Sequence, residues 1–386
     1  MNKLRTSFGR TASLFVVTSA LALTAVTLFP LPGASGGSTT TTSTTTTTAA
    51  LSTATTTSTT TTLAQPNATA STGLITAGPS RSVCLTPDIP STAYGLSSVQ
   101  AAVTAFDNLT HSNVTCLSAY LLNAATWTQW VHPWVSNSGE GYSSWVAEKP
   151  QSRELVLAMG LIPSGLQTGG NPLSWESACA AGKYDSYATQ FGKNLVAAGL
   201  QNSVLRLGPE MNGSWEPYFI GTTTTEQHRW TQCFDKEVTA LRRAPGEHFL
   251  IDWNPNACVG NYSYKNYYPG NAYVDIMGLD LYDVGCLSPY KSLTFSQLAS
   301  ETAGLNYFEA FAAKKGKPMS LPEWGLSAIP SGDDPGYING IGATVARHDF
   351  AFESYFDGTG PNVKALLLSS STPLSVAAFR NWFGTS

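Results

Sequence analysis

The stretch VLRLGPEMNGSW, residues 204–215, contains the transition on which the fold prediction rests. Its first residues are mostly apolar, as in a buried strand, and they run directly into Glu210 and a polar, glycine-containing loop. Segments with helical patterning precede and follow it, over residues 184–200 and 225–243. The stretch therefore reads as one strand within a repeating pattern of strands and helices.

The same alternation extends in both directions along the chain. Further helix candidates cover residues 295–315 and 340–356. The strand candidates are residues 82–85, 114–121, 154–162, 203–209, 248–253, 273–282, 317–322 and 363–368. Eight strands that alternate with helices predict an α/β fold, a (β/α)8 TIM barrel, in residues 81–386. A doubly wound open sheet is the alternative, disfavoured because no G-x-G-x-x-G turn or P-loop follows an early strand.

The N-terminus has the order of a secretory signal. Basic residues at positions 3, 5 and 10 precede an uncharged run, residues 11–29, and small residues follow around Ala34. We expect residues 1–34 to be a cleaved signal peptide and the protein to be secreted or extracellular. A retained signal anchor is the alternative, since the run is just long enough to span a bilayer.

Residues 35–80 are rich in threonine and serine and contain little that could be buried. This composition predicts a disordered linker and resembles the O-glycosylated stalks of secreted microbial enzymes, which hold a folded domain away from a cell wall. A low-complexity insertion without such a role is the alternative. Association with the cell surface through the linker is compatible with secretion.

Six cysteines lie beyond the linker, and an even number in a secreted chain predicts three disulfides. Of the fifteen connectivities that six cysteines allow, we expect the sequential one, because it joins neighbouring structural units. Those pairs are Cys84 with Cys116, Cys179 with Cys233, and Cys258 with Cys286. No pair has C-x-x-C spacing and the histidines do not cluster, so no metal site is predicted.

The charged fraction is 12% and the net charge is −4. These values argue against a basic nucleic-acid-binding protein, and no nucleic acid partner is expected.

Two glutamates follow strand candidates directly. Glu210 follows the fourth, and Glu323 ends the seventh in KPMSLPEWG, residues 317–325. In a TIM barrel both positions face the catalytic mouth. Retaining glycosidases use such a pair: one carboxylic acid protonates the leaving oxygen, and a carboxylate about 5 Å away attacks the anomeric carbon. Alternatively each glutamate pairs with an arginine or caps a helix, and Arg206 has the parity to be the partner of Glu210.

Two other strand ends carry polar and aromatic residues. Asp280 and Tyr282 share one face of the sixth strand candidate, so the Tyr282 phenol could donate a hydrogen bond to a neighbouring carboxylate. The fifth candidate ends in Trp253, Asn254 and, two residues later, Asn256, which suit stacking on a sugar ring and bonding its hydroxyls. Packing within the barrel is the alternative for the aromatic residues.

Four ordered segments together resemble glycoside hydrolase family 26, the β-mannanase family. They are R-x-x-x-E-M-N-G-x-W at 206–215, W-N-P-N at 253–256, Y-P-G-N-x-Y-V-D-I-x-G-L-D-x-Y at 268–282 and K-P-x-x-x-x-E-x-G at 317–325. The resemblance implies that Glu210 is the acid/base, Glu323 the nucleophile, Tyr282 the residue that orients it, and Trp215 a sugar contact. The predicted substrate-binding residues at the mouth are Arg206, Asn212, Trp215, Trp253, Asn254, Tyr282 and Trp324.

The chain departs from the family pattern at two places. Pro209 precedes the acid/base where the family usually has histidine, and Ser369, Ser370 and Ser371 follow the expected eighth strand where the family usually has a tryptophan. Both departures concern the sugar at the point of cleavage and leave the carboxylates intact.

The sequence thus predicts a secreted, monomeric, retaining endo-β-glycosidase that needs no cofactor or metal. The expected substrate is a neutral β-linked polysaccharide or oligosaccharide, mannan first and then mixed-linkage glucan or xylan. A non-catalytic carbohydrate-binding or cell-surface protein that keeps the barrel is the rival hypothesis, which the survival of both glutamates disfavours.

Overall fold

Eight parallel strand positions close into a barrel in the computed structural model of the chain. The structure describes residues 75, 82–89, 94–166, 172–257, 263–284, 293–327, 332–359, 363, 365–367 and 371–385, and these lie in one compact unit, Leu63–Ser386. The predicted signal peptide and nearly all of the predicted linker fall outside the described residues. None of the described helices is long and apolar enough to cross a membrane.

The barrel closes because the last strand pairs with the first. The strands are β1 (Ser82–Thr86), β2 (Val114–Tyr120), β3 (Glu154–Met159), β4 (Val204–Leu207), β5 (Leu250–Trp253), β6 (Ile276–Gly278), β7 (Leu281–Tyr282), β8 (Met319–Gly325) and β9 (Phe350–Phe356). Each pairs in parallel with its neighbours, β9 with β1 and β6 with β8. The short β7 pairs with the far end of β8, so β6 and β7 share one barrel position. The predicted TIM barrel is confirmed.

Helices follow most strands and cover the outside of the barrel. They are α1 (Leu96–Thr110), α2 (Trp127–Val131), α3 (Gly141–Glu148), α4 (Pro172–Ala180), α5 (Asp185–Ala197), α6 (Thr224–Leu241), α7 (Phe295–Ala299), α8 (Leu305–Lys315), α9 (Pro335–Arg347) and α10 (Pro373–Phe383). The longest, α6, begins at a capping box in which the Thr223 hydroxyl accepts from the Glu226 N–H and the Glu226 carboxylate accepts from the Thr223 N–H.

The prediction for the last barrel strand was wrong. Residues 363–368 were expected to form it, but β9 does, and the helix predicted over residues 340–356 ends at Arg347. Six of the seven β9 residues are buried, because the strand is covered on both faces. Such a strand shows no alternation and cannot be told from a buried helix by periodicity. Within the range first assigned, Val363 forms an isolated antiparallel bridge with Ser327.

Two of the three predicted disulfides are present. Cys84 and Cys116 occupy directly paired positions in β1 and β2, and Cys179 and Cys233 join α4 to α6. The third predicted pair lies outside the described residues. The two observed pairs confirm the sequential connectivity as far as the structure describes it.

The inside of the barrel is filled by layers of different chemistry. A separate apolar cluster fills the end near the strand starts, and we call it the apolar plug: Ile75, Cys84, Cys116, Val156, Val204, Ile276, Ala351 and Phe352. Two residues further along β2 and β9, Ser118 and Ser354 share a hydrogen bond of 2.7 Å. Because side chains on one face recur every second residue, the next inward positions are the strand ends, where the glutamates lie.

Candidate active site

A strained turn after β4 positions Glu210. The φ angles of Gly208 and Glu210 are +59° and +53°, both in the left-handed region. The Glu210 N–H donates to the carbonyl of Asn254 (2.7 Å), and its carbonyl accepts from the Gly213 N–H (2.8 Å). A left-handed non-glycine residue costs on the order of 1 kcal/mol and occurs often at functional sites. These backbone hydrogen bonds hold the conformation in place.

The Glu210 carboxyl receives two hydrogen bonds. Asn256 Nδ2 donates to Oε1 (2.5 Å) and Trp215 Nε1 donates to Oε2 (2.8 Å). Burial, followed by the negative charge of Glu323, raises the pKa of Glu210 to about 7, although both hydrogen bonds favour the charged form. A carboxyl with this pKa is protonated at mildly acidic pH and can donate a proton.

Glu323, in β8, is surrounded by donors. Tyr282 Oη donates to Oε1 and Tyr120 Oη to Oε2, both over 2.6 Å. Burial, followed by the charge of Glu323, raises the pKa of both phenols, so they remain protonated donors. Arg206 Nη2 lies 3.5 Å from Glu323 Oε2. The three groups fix the orientation of this carboxylate.

Arg206 lies beside Glu323 and is fully buried. Its Nε and Nη2 donate to Asn254 Oδ1 (2.8 and 2.6 Å), and Nη2 also donates to Asp280 Oδ2 (2.8 Å). Burial opposes the guanidinium charge, but Asp280 and its neighbours outweigh it and raise the Arg206 pKa. Arg206 is therefore tied to Asn254 and Asp280, and its closest glutamate is Glu323 instead of the expected Glu210.

Trp215 and Tyr282 are the two predicted substrate-binding residues that reach the mouth. Trp215 is 57% exposed beside Glu210, and Tyr282 is half-buried beside Glu323. Both side chains can contact a substrate in the cleft between the glutamates.

Three of the polar substrate-binding predictions need correction. Arg206, Asn212 and Asn254 are completely buried and serve the site from beneath. Asn212 accepts from the Asn256 N–H and donates to its carbonyl, each over 2.8 Å, and so positions the amide that bonds Glu210. These residues support the site and do not reach a sugar.

Trp253 and Trp324, also predicted to bind substrate, are buried packing residues. Trp253 stacks on Phe308 with 6.2 Å between ring centroids, and Trp324 stacks on Phe379 at 5.9 Å. Trp253 follows the inward-facing Asp252, and Trp324 follows the inward-facing Glu323. Because side chains alternate between the two faces of a strand, both rings point outward to the helices. Trp253 and Asn254, like Glu323 and Trp324, are adjacent in sequence and so cannot both face the mouth along a regular strand.

Tyr120 and Phe356 also belong to the site, although neither was predicted from the sequence. Tyr120 ends β2 on the inward face that also carries Ser118, a pattern that could have predicted it once β2 was aligned. Phe356 ends β9, and its ring lies 6.4 Å from that of Tyr120 and 6.0 Å from that of Tyr282. An aromatic ring therefore stands at the end of the last barrel strand.

That position corrects the second expected departure. Ser369 and Ser370 lie outside the described residues, but the barrel strand ends at Phe356, far before them in sequence. The serines were assigned to the end of a strand that forms elsewhere. Pro209 remains as the departure next to Glu210.

Comparison with known sequences identifies the segment that carries Glu210 and Tyr282. Residues 186–312 match the sequence model of glycosyl hydrolase family 26. The resemblance to glycoside hydrolase family 26 is confirmed. The family 26 match runs from α5 into α8 and ends before Glu323. It supports a glycoside hydrolase, a class of enzyme that acts on saccharides.

One curated relative and several solved structures are similar to this chain. Endoglucanase H of Acetivibrio thermocellus is 29% identical over 154 residues, which make up 38% of this chain and 16% of that protein. An endo-β-1,4-mannanase from Cellulomonas fimi has a TM-score of 0.51 at 18% identity, over 72% of this chain and 65% of that one. The catalytic domain of a family 26 endo-β-1,4-mannanase from Bacillus sp. JAMB-750 has a TM-score of 0.55 at 17% identity, over 79% and 85%. At these identities the structures show a shared fold.

Proposed function

We propose that this chain is a retaining endo-β-glycosidase in which Glu210 is the acid/base and Glu323 the nucleophile. The observation that carries the proposal is the different setting of the two carboxyls at one barrel mouth. The pKa of Glu210 is raised to about 7, whereas Glu323 is held by two phenols and faces a guanidinium. One group is suited to give a proton and the other to attack carbon.

In the first step, Glu323 attacks the anomeric carbon as the glycosidic bond breaks, and Glu210 transfers its proton to the departing oxygen. The products are a glycosyl ester on Glu323 and a free hydroxyl on the leaving sugar. Tyr120 and Tyr282 keep the nucleophile in line for this attack.

In the second step, water attacks the same carbon and Glu210 takes its proton, which releases Glu323. The electrostatics favour this change of role. Part of the raised pKa of Glu210 comes from the charge of Glu323, and that charge is absent in the ester. The Glu210 pKa therefore falls in the intermediate, where a base is needed.

We propose β-1,4-mannan as the first substrate, followed by mixed-linkage glucan and xylan. The names of the two similar structures favour mannan, and the name of the curated relative, an endoglucanase, makes glucan the next candidate. Phe356 supplies an aromatic surface next to the nucleophile. Pro209 cannot offer a substrate the imidazole that the family usually has there, so discrimination between sugars will differ from that of the family.

We also propose that residues 1–34 are removed as a signal peptide, that residues 35–80 are a linker and that the protein is secreted. The two disulfides agree with an oxidising compartment.

A non-catalytic carbohydrate-binding protein is the second candidate, supported by the exposed Trp215 ring. The complete set of donors around both glutamates favours catalysis, because binding alone does not require a carboxyl with a raised pKa.

Release of reducing ends from purified mannan, mixed-linkage glucan and xylan tests the proposal. We expect hydrolysis of at least one polymer by the wild type and none by Glu323→Ala, with Trp382→Ala, a change on the outer helix α10, as the active control. Binding of a polymer without hydrolysis by the wild type would favour the non-catalytic candidate.

A further inference from the structure

A disulfide and a buried carboxyl meet on the outside of the barrel, where α4 packs against α6. Cys179 of α4 and Cys233 of α6 form the disulfide, and Glu237 lies one helical turn after Cys233. The Sγ of Cys179 lies 3.6 Å from Glu237 Oε1. All three side chains are at most 1% exposed, so bulk water does not reach this contact.

The chemistry of the contact determines the protonation of Glu237. A disulfide sulfur carries no hydrogen and can only accept, so an ionised carboxylate would place two electron-rich atoms against each other. A neutral carboxyl can instead donate its O–H to the Cys179 sulfur. Glu237 Oε2 has no hydrogen-bond partner among the described residues, so no donor stabilises a negative charge there. Burial, followed by the charge of Asp185, raises the pKa of Glu237 well above its usual range, in agreement with the neutral form.

The titratable groups around Glu237 do not compensate a negative charge on it. Asp185, in the first turn of α5, is itself negative, and its partner Arg243 bonds it over 3.2 Å near the surface. Tyr184, just before α5, has a pKa that burial and the Glu237 charge both raise, so it stays neutral. Glu176, the other buried carboxyl of this joint, has a pKa raised mainly by burial to about 8. The proton of Glu237 is therefore kept next to the disulfide.

We propose that Glu237 donates and accepts the proton in thiol–disulfide exchange at Cys179–Cys233, which makes the joint between α4 and α6 redox-sensitive. The reductant is an external dithiol. One of its thiolates attacks Cys233 Sγ, the S–S bond breaks, and Cys179 leaves as a thiol because Glu237 transfers its proton to that sulfur. The second thiolate of the reductant then attacks the mixed disulfide, frees Cys233 and leaves as part of a cyclic disulfide. Two electrons pass from the dithiol to the protein, and Glu237 and Cys233 take up protons from water.

Formation of the disulfide uses the same groups in reverse. The Glu237 carboxylate takes the proton of the Cys179 thiol as that sulfur attacks a mixed disulfide on Cys233, and the external thiol leaves. Because its pKa is raised towards that of a thiol, about 8.5, Glu237 can both give and take this proton near neutral pH. Since both sulfurs are buried, either reaction requires α4 to separate locally from α6.

Reduction kinetics of the folded, full chain test this proposal, with dithiothreitol as the dithiol. Free thiols are alkylated at each time point, and peptide mass spectrometry quantifies the two described disulfides separately. Glu237→Gln keeps the size of the side chain but has no proton to transfer. At pH 7 it should slow reduction of Cys179–Cys233 on the order of ten- to a hundredfold, in the lower range of general acid catalysis. The difference should narrow towards pH 10, where Glu237 itself loses its proton as the joint opens.

Two controls distinguish proton transfer from a change in folding. Glu176 is a second buried carboxyl of the joint, and within the described part of the chain neither of its oxygens bonds a sulfur. Glu176→Gln should therefore change the rate by less than about twofold. Cys84–Cys116, measured in the same samples, should be reduced within about twofold of its wild-type rate in every variant. Closure of the reduced Cys179–Cys233 pair by oxidised glutathione should also be slower in Glu237→Gln.

An unchanged or faster reduction of Cys179–Cys233 in Glu237→Gln would overturn the proposal. Equal slowing of both disulfides, or the same slowing in Glu176→Gln, would show a structural role and would overturn it as well. So would a folded wild type in which dithiothreitol does not open Cys179–Cys233. Hydrolysis of a polysaccharide does not enter the measurement, so the result is independent of the proposed function.

Discussion

The two ends of the barrel interior are built from the same strands but differ completely in chemistry. At the strand starts, Cys116, Val204 and Phe352 belong to the apolar plug. At the strand ends, Arg206 and its partners form a buried charged network that carries the glutamates. On β4 only one residue separates the two regions, since Val204 and Arg206 share the inward face.

The difference separates a region that stabilises the fold, the apolar plug, from a region that positions the candidate site, the charged network above it. Apolar side chains in the plug gain free energy from burial alone. Buried charges above them are tolerated only with their partners in place, because an uncompensated buried charge costs several kcal/mol. The strained φ angle of Glu210 lies in the same upper region. The plug should therefore respond to lost volume, and the upper network to lost charge.

Removal of Glu323, the proposed nucleophile, should have the largest effect on activity. Glu323→Ala should lower kcat by at least about 10⁴-fold with the fold intact, because loss of a nucleophile removes the covalent route. Glu210→Ala should still cleave aryl glycosides whose leaving group needs no proton. Azide should restore the activity of this variant and give a product of retained configuration. Initial rates and circular dichroism of both variants measure this. Substantial activity of Glu323→Ala on polymers would contradict the assignment.

Two substitutions on one face of β4 should separate charge from volume. Arg206→Met leaves Asp280 buried without its partner and should cost roughly 3 to 5 kcal/mol in the free energy of unfolding. Val204→Ala, in the plug, should cost about 2 kcal/mol, as for loss of two buried methyl groups. Urea denaturation of both variants measures the difference. A larger loss for Val204→Ala would show that the upper network does not depend on charge compensation.

Asp252, on β5 between the two regions, should make stability depend on pH. Burial raises its pKa to about 7, against partial compensation by the hydrogen bond from Ser320 Oγ (2.8 Å). The folded state favours the neutral carboxyl. The stabilising contribution of Asp252 to the free energy of unfolding is therefore complete below the unfolded pKa of about 4 and is lost as pH rises through 7. The rise of the pKa from about 4 to about 7 corresponds to on the order of 4 kcal/mol in the free energy of unfolding.

Melting temperatures of the wild type and Asp252→Asn between pH 4 and 8 measure this effect. As pH rises, the melting temperature of Asp252→Asn should fall less than that of the wild type. Asp88→Asn, at an exposed position, should behave as the wild type does. An unchanged slope in Asp252→Asn would contradict the prediction.

The smallest effect should be a shift in the pH profile of kcat/KM. Glu210 must be protonated to act as acid, so activity should fall above pH 7, the region of its raised pKa. Asn256 Nδ2 stabilises the charged form, so Asn256→Ala should move the alkaline limb to higher pH by less than about one unit. Trp215→Phe should shift it in the same direction, and Trp382→Phe should not. A shift to lower pH would mean that these hydrogen bonds stabilise the acid form instead.

Local sequence was enough to predict features that depend on a single strand and its end. An apolar strand that runs into a glutamate is visible in residues 204–210 and 317–323, and both carboxyls reach one mouth. Sequential disulfides were predictable for the same reason, because each joins neighbouring units.

Features that depend on strand parity or on a distant strand were not predictable in this way. Trp253 and Trp324 stand beside inward-facing residues and therefore point outward, a distinction that requires the register of each strand. Tyr120 meets Glu323 only because the barrel closes between β2 and β8, across 203 positions of sequence. Phe356 was missed because β9 is buried on both faces and lacks alternation.

The central claim is that the two glutamates act by double displacement. The stereochemistry of the first product tests this claim most directly. Proton NMR at early times of hydrolysis of the best β-linked oligosaccharide distinguishes the anomers before they equilibrate. Attack by Glu323 followed by water predicts that the β-anomer forms first, because two inversions restore the configuration. Initial formation of the α-anomer would show a single displacement by water and would contradict the assignment of Glu323 as nucleophile.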